Sequence, residues 1–218
     1  MRVLLRWLLD LLYPPKCMLC HRLLESSDQM TCGRCDGALP EQEGAGRTVQ
    51  FFEAFVTPFY YEGYIKDAIR RLKFRGMQTY APQFARWMAA RVRKELEGKY
   101  DLISWVPCSG RRKWTRGYDQ SELLARALAK ELGADCVPTL KKIRHTKKQS
   151  KMPSAGARKA NVLGAYKAID PKSVFGKRIL LVDDVLTTGA TMSECGKTLQ
   201  LAGSGALVCT AAATRRKT

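Results

Sequence analysis

The chain has 218 residues, enough for one substantial domain and a small appendage, and its apolar fraction of 45% excludes a disordered protein. Its 38 lysines and arginines against 20 aspartates and glutamates give a formal net charge of +18. This excess of cations favours a polyanionic partner, which can be nucleic acid, a phosphorylated substrate or an anionic membrane surface. A protein that is basic without a specific partner is the alternative.

Residues 1–13 form an apolar run that Arg6 and Asp10 interrupt. Because no small-residue cleavage site follows and the run is too short to span a bilayer, we predict neither a secretory signal nor a transmembrane segment. We expect a short amphipathic helix that packs on the protein, with peripheral membrane contact as the alternative. The expected location is therefore the cytoplasm, with membrane association as the alternative.

Two Cys-x2-Cys pairs follow, Cys17 with Cys20 and Cys32 with Cys35. Thiolates at this spacing can converge on one tetrahedral Zn²⁺ ion. A disulfide or a redox-active pair is the alternative, which a cytosolic chain disfavours. Because four cysteine ligands leave no open coordination position, we predict a structural zinc site without a catalytic role. We place the N-terminal helix and zinc module at 1–45 and a second domain at 46–218.

Alternating strand and helix patterns fill the second domain, after a linker at 41–47 that is rich in Glu and Gly. Aromatic and β-branched residues predict strands, and apolar residues at helical spacing predict helices. The predicted elements are one strand or a pair of short strands over 51–60, strands over 101–107, 135–140, 166–169 and 206–213, and helices over 64–75, 84–96, 123–132 and 192–201. This alternation predicts an α/β fold with a mainly parallel sheet.

Two basic stretches lie between these elements. Residues 108–117 combine turn formers with four cations, and we predict a loop at the carboxyl edge of the sheet, where ligands of α/β folds bind. Residues 141–159 carry eight lysines and arginines and no acidic residue. A solvated loop is the simplest interpretation of this run, but eight unopposed cations favour an anion nearby.

The run from Arg178 to Thr191 is the most specific pattern in the chain. Four branched apolar residues, Ile179–Val182, predict a strand buried on both faces, and Asp183 and Asp184 follow where that strand should emerge. The two carboxylates can accept hydrogen bonds from the vicinal hydroxyls of a sugar. The loop at 187–191 precedes a helix, so its free backbone N–H groups can hold a phosphate. We therefore predict a site for a ribose 5-phosphate.

This run resembles the PRPP-binding motif of type I phosphoribosyltransferases, and other segments narrow the resemblance to the ComF family of competence-related proteins. The matching segments are Val106-Pro107, Arg116-Gly-Tyr-Asp-Gln120, Arg144-His-Thr-Lys-Lys-Gln149, Arg158-Lys-Ala-Asn161 and Ala165-Tyr166. The resemblance covers nearly all of the chain and implies a zinc ribbon followed by a type I phosphoribosyltransferase-like fold. Asp119 departs from the asparagine that is common at this place in the family.

The resemblance also implies a role for each part of the site. The residues implied to bind PRPP are Asp183, Asp184, Thr187, Thr188, Gly189, Ala190 and Thr191. The resemblance further implies that Mg²⁺ bridges the diol and pyrophosphate oxygens. Pyrophosphate contacts are implied in two segments. The early loop provides Pro107, Cys108, Ser109, Gly110, Arg111 and Arg116, and the mobile hood provides Arg144 and Lys148. No residue is assigned a catalytic role.

Two functions stay open at this point. One is transfer of ribose 5-phosphate from PRPP to a nitrogen nucleophile, although the sequence offers no acceptor pocket and no base–nucleophile pair. The other follows from the association of ComF proteins with natural transformation: handling of single-stranded DNA on the cytoplasmic side, with competence-machinery proteins as further partners. The excess of cations favours this second function. The residues expected to contact the strand are Arg112, Lys113, Trp114, Lys141, Lys142, Lys147, Lys151 and Arg158, with Tyr118 as a second stacking platform.

Overall fold

A computed structural model describes residues 14–42, 47–146, 152 and 154–216. The helix expected at 1–13 lies outside these residues, as do Lys147, Lys148 and Lys151. Within the described ranges, every helix is too short or too polar to cross a membrane.

A parallel sheet forms the centre of the molecule. The strands in the described part are, in chain order, β1 (Ala54–Val56), β2 (Phe59–Tyr60), β3 (Leu102–Trp105), β4 (Leu140–Lys142), β5 (Tyr166–Ala168), β6 (Ile179–Leu186) and β7 (Leu207–Thr214). The sheet order is β1-β7-β6-β3, and β2 also pairs with β7, all in parallel. The two strands outside this sheet, β4 and β5, form an antiparallel ribbon. The predicted mainly parallel α/β fold is confirmed.

Helices cover both faces of this sheet. The helices in the described part are α1 (Gly33–Asp36), α2 (Gly63–Phe74), α3 (Ala81–Leu96), α4 (Gly110–Arg116), α5 (Gln120–Leu132), α6 (Ala155–Val162), α7 (Pro171–Val174) and α8 (Ala190–Leu201). Leu180 and Val182 of β6 pack in the core with α2, α3 and α5, whereas Ile179 and Leu181 pack on the other face with α8. The strand is therefore buried on both faces, as predicted, and each such side chain contributes about 1.5–3 kcal/mol.

The acid pair lies inside β6 rather than beyond it, which corrects the predicted end of this strand. Pairing with β7 continues from Asp183 opposite Ala211 to Leu186 opposite Thr214. The neighbouring strand β7 pairs with the backbone on both sides of the acids, so β6 does not end at Val182. The acids still lie in the carboxyl-terminal half of β6.

The basic segment 108–117 was predicted to be a loop, and this was wrong because residues 110–116 form α4. Arginine and lysine are good helix formers, and Gly117 ends the helix in the left-handed region at φ 79°.

Two further element predictions differ from the structure. The strand expected over 135–140 begins only at Leu140, and Cys136 makes an isolated bridge to Ile103. Pro138 lies between them and has no N–H to donate, which interrupts the pairing. The basic run at 141–159 is not only a loop, since α6 begins within it, with the Ser154 hydroxyl accepting from the Ala157 N–H.

The zinc module packs directly on the second domain. Met18 and Leu19, between the first two cysteines, are buried in the same core as α2 and α3. The Arg71 guanidinium of α2 donates to the Met18 carbonyl at 2.7 Å and to the Leu19 carbonyl at 3.0 Å. A contact of this kind fixes the position of the cysteine loop relative to α2.

Candidate functional site

The acid pair at the carboxyl end of β6 is held by two different sets of partners. Asp183 accepts from the Ser121 hydroxyl at 2.9 Å and from the Asp184 N–H at 2.8 Å. Asp184 forms an ion pair with Lys73 of α2 at 2.8 Å. Burial, and then the neighbouring charge of Asp184, raise the pKa of Asp183 to about 7, while the hydrogen bonds and Lys73 oppose the rise. The two carboxylates therefore line the same space but differ in charge state, since Asp184 is ion-paired and Asp183 has a raised pKa.

The loop after β6 delivers backbone donors to that space. Gly189 takes the left-handed conformation at φ 80°, and α8 begins at the next residue. The first N–H groups of this twelve-residue helix have no partner within the helix, and residues 187–191 line the same space as the acid pair. Arg47 donates to the Thr187 carbonyl from outside the loop and fixes its course.

Asp119 holds the segment that follows β3. Its carboxylate accepts from the Cys108 N–H at 2.7 Å and from the Ser121 and Glu122 N–H groups at 3.0 and 3.4 Å. Burial raises the pKa of Asp119, and these hydrogen bonds oppose the rise. Because all three of these groups donate, an acceptor-only side chain suits this position, which gives a physical reason for aspartate here. The Val106 N–H also donates to the Val182 carbonyl at 2.9 Å, which ties this segment to β6.

These elements enclose a cavity of about 280 Å³. All seven residues predicted to bind PRPP line it, and so do Pro107, Cys108 and Arg116 of the predicted pyrophosphate contacts. Arg111 lines a neighbouring cavity. Arg144 instead donates to the carbonyls of Asn161 and Leu163 at 3.1 and 2.7 Å. Ser109 and Gly110 lie at the start of α4, where the buried Ser109 hydroxyl has no hydrogen-bond partner among the described residues.

The residues predicted to contact DNA lie in different surroundings. Arg112 and Lys142 line the cavity instead of the outer surface. Trp114 is 87% exposed and Lys141 is exposed, as a surface contact requires. Lys113 forms an ion pair with Glu122 at 3.0 Å. Arg158 is half-buried on α6, and Lys147, Lys148 and Lys151 lie outside the described residues.

Tyr118 is not available as a stacking platform, which corrects that prediction. Its ring is 8% exposed and its hydroxyl donates to the Leu72 carbonyl. The exposed aromatic side chain nearby is Phe74, which is 58% exposed and lies 4.8 Å from the Arg116 guanidinium.

Several cavity residues were not identified from the sequence. They are Tyr61, Lys73, Phe74, Ser121, Tyr166 and Arg215. Lys73 lies in the helix predicted over 64–75, which carries several lysines and arginines on its polar face. Periodicity predicts that such a face exists, but it does not predict which of its cations reaches an acid more than 100 residues away.

The four cysteines of the N-terminal module form a site that fits structural zinc. Their Sγ atoms all lie within 4.8 Å of one another, Cys20 and Cys32 are 3.7 Å apart, and all four are free thiols. Zn–S bonds of about 2.3 Å in a tetrahedron place sulfurs about 3.8 Å apart. His21 is outside this group of ligands.

Comparison with known proteins gives two matching family models, a double zinc ribbon domain over residues 8–45 and a phosphoribosyl transferase domain over residues 119–217. The chain is 30% identical over 202 residues to "DNA utilization protein YhgH" of Escherichia coli (strain K12), covering 88% of this chain and 86% of that one. It is 37% identical over 108 residues to "Competence protein F" of Haemophilus influenzae, covering 47% of this chain and 45% of that one. The chain therefore spans less than half the length of this second relative.

Among solved structures, a glutamine PRPP amidotransferase from B. subtilis superposes with a TM-score of 0.42 at 23% identity. The superposition covers 61% of this chain and 26% of that chain.

Proposed function

Because this chain belongs to the ComF family, we propose that it binds PRPP or another ribose 5-phosphate and handles single-stranded DNA on the cytoplasmic side during DNA uptake. Its relatives are named for competence and for DNA utilization, which supports a competence-related role. The single observation that carries the ligand proposal is the convergence of the acid pair and the 187–191 loop on one cavity.

Each wall of this cavity suits one part of a ribose 5-phosphate. The carboxylates of Asp183 and Asp184 can accept from vicinal hydroxyls, and the N–H groups at the start of α8 can hold the 5-phosphate. Arg112 and Arg116 line the same cavity and can neutralise further phosphate charge. Mg²⁺ bound with the ligand would supply additional charge neutralisation, and carboxylate oxygens are ligands that it prefers.

The DNA strand is expected outside this cavity, on the cations around its mouth. Two carboxylates are a poor environment for a phosphodiester, and deoxyribose lacks the vicinal diol that they suit. The residues available outside are Lys141, which is exposed, Arg111 of the adjoining cavity, and the exposed ring of Trp114. Cations combined with aromatic rings are typical of surfaces that bind single strands.

The ligand proposal is tested by thermal stabilisation with Mg²⁺-PRPP. At a concentration 100 times the Kd, a ligand stabilises by about 2.7 kcal/mol, which for a chain of this size raises Tm by roughly 5–10 °C. We expect this rise in the wild type and its loss in the double variant Asp183→Asn, Asp184→Asn. A rise that survives the double substitution would place the ligand elsewhere.

An active phosphoribosyltransferase is the second candidate, and one observation favours it. Tyr61 and Phe74 line the cavity beside the acids, so an aromatic acceptor could stack there. Release of pyrophosphate from PRPP with a panel of bases and amines distinguishes the two functions. Turnover that needs both PRPP and one acceptor would establish the enzyme, whereas binding without release supports the binder.

A further inference from the structure

The ribbon formed by β4 and β5 brings one lysine into the cavity and leaves its neighbours in solvent. Lys142 lies directly opposite Tyr166, and its ammonium donates to the Tyr166 hydroxyl at 3.0 Å. Both side chains line the cavity that contains Asp183 and the 187–191 loop. Lys141 and Lys167 form the next pair along the ribbon and are exposed. Strand alternation explains this difference, because successive side chains point to opposite faces.

Lys142 has no acidic partner within ion-pairing distance among the residues that the structure describes. An ammonium group has three N–H donors, and one is used by Tyr166. The Tyr166 oxygen accepts that bond, so its own O–H can donate to a second acceptor. Two N–H groups of Lys142 and the O–H of Tyr166 are therefore available to a ligand in the cavity, and Lys142 is a half-buried cation without an ion-pair partner among the described residues.

The charged groups around Lys142 come from two elements. Arg112 of α4 repels its ammonium, whereas the carboxylate of Asp183 in β6 favours the charged form. The thiols of Cys108 and Cys195 also lie nearby, but burial raises the pKa of both, so they are neutral. Desolvation is the largest effect, and together with Arg112 it lowers the pKa of Lys142 to about 8. Burial raises the pKa of Tyr166 and keeps it neutral. The Arg112 guanidinium also donates at 3.2 Å to the carbonyl of Thr146, four residues after Lys142, so α4 adjoins this end of the ribbon.

We propose that Lys142 and Tyr166 form an anion-binding pair for the pyrophosphate end of the ligand, and that Lys142 completes its protonation when this anion binds. The inference rests on the proposed ribose-phosphate function and replaces the role of Lys142 as a DNA contact. A bound anion stabilises the charged form of Lys142 and so raises its pKa. Ligand binding is therefore coupled to proton uptake when the pH is near or above the pKa that Lys142 has in the free protein. Affinity for pyrophosphate then falls as the pH rises above about 8.

Isothermal titration of the full chain with ribose 5-phosphate, inorganic pyrophosphate and Mg²⁺-PRPP tests this. For Lys142→Met we expect about 10-fold or greater loss of affinity for pyrophosphate and PRPP, as for loss of a hydrogen bond from a charged group, and less than about 2-fold loss for ribose 5-phosphate. Lys167→Met, on the exposed side of the same ribbon, is expected to bind all three like the wild type.

Lys142→Arg tests the protonation step, because arginine stays charged at every pH used. It should retain pyrophosphate binding at pH 8.5, and titrations in buffers of different ionisation enthalpy should show less proton uptake than in the wild type. Equal loss for all three ligands in Lys142→Met, or unchanged pyrophosphate affinity, would overturn the inference. Failure of the wild type to bind ribose 5-phosphate would instead contradict the proposed function. The titrations with pyrophosphate would still measure the contribution of Lys142 to anion binding.

Discussion

Asp183 and Asp184 are neighbours in the chain, but the fold gives them opposite electrostatic surroundings. Asp184 has a cation at 2.8 Å, whereas Asp183 has only neutral donors at hydrogen-bond distance. An acid held without a counter-ion costs folding free energy when it is ionised. The same arrangement keeps an acceptor free for a ligand, which is the usual conflict between stability and function at a binding site.

This conflict predicts a pH-dependent gain of stability for Asp183→Asn. The folded pKa of about 7 lies above that of an unfolded aspartate, so the wild type loses stability as the pH rises from about 4 to about 7. Asn at this position removes that loss, and we expect Tm at pH 8 to rise by a few degrees, at roughly 2–4 °C per kcal/mol. The difference should vanish below about pH 3, where Asp183 of the wild type is protonated in both the folded and the unfolded state.

Asp101→Asn is the matched control, because the Arg178 guanidinium lowers the pKa of this exposed acid to about 2. Its carboxylate accepts from the Arg178 side chain at 2.6 Å. Loss of that acid should leave Tm at pH 8 unchanged or slightly lower. A lower Tm for Asp183→Asn at pH 8 would contradict the account of the acid pair.

At the scale of elements, α2 connects the zinc module to the ligand cavity. Arg71 holds the cysteine loop, and Lys73 in the same turn holds Asp184. The Leu72 carbonyl between them accepts from Tyr118. The last turn of α2 is therefore fixed by contacts on several sides, and a change at the cysteines can reach the cavity through a single helical turn.

Removal of the zinc is accordingly expected to affect both stability and ligand binding. Cys32→Ser should release the metal, lower Tm by at least about 5 °C and weaken ribose 5-phosphate binding several-fold. Metal content, a thermal melt and a titration measure the three effects. Cys136→Ser, at a cysteine outside the metal group, should keep its zinc. Unchanged ligand affinity after zinc loss would show that α2 keeps its position without the metal.

At the scale of the whole molecule, the charge of +18 predicts how DNA binding depends on salt. If about four to six cations contact the strand, the logarithm of affinity should fall with the logarithm of salt at a slope of about −3 to −4. Anisotropy of a labelled oligonucleotide between 50 and 200 mM salt measures this. A flat salt dependence, or no binding at low salt, would remove the DNA function.

Trp114 gives the same experiment a specific residue. Trp114→Ala should lower affinity about 5-fold or more through loss of base stacking, with little effect on the salt slope. The control is Phe175→Ala, since this ring is 75% exposed but precedes β6 and so lies at the opposite edge of the sheet from the cavity. Similar losses for both variants would indicate a general effect of removing exposed aromatic side chains.

The sequence by itself determined those parts of the site whose residues are close together in the chain. Ile179–Val182, the acid pair and the 187–191 loop follow one another directly, so strand, carboxylates and anion cradle could be assigned together. The cysteine spacing indicated zinc for the same reason. The alternation of elements indicated the parallel sheet, although Pro138 and the 108–117 segment gave wrong boundaries.

Tertiary structure decided which distant side chains complete the site. Lys142 enters the cavity while Lys141 does not, and Lys73 reaches Asp184 from a helix that precedes it by more than 100 residues. Tyr118 is buried, whereas Phe74 is exposed beside Arg116. Composition and spacing report that cations and aromatic rings are present, but the direction of each side chain depends on how its strand or helix packs. That packing is set by contacts between residues far apart in the chain.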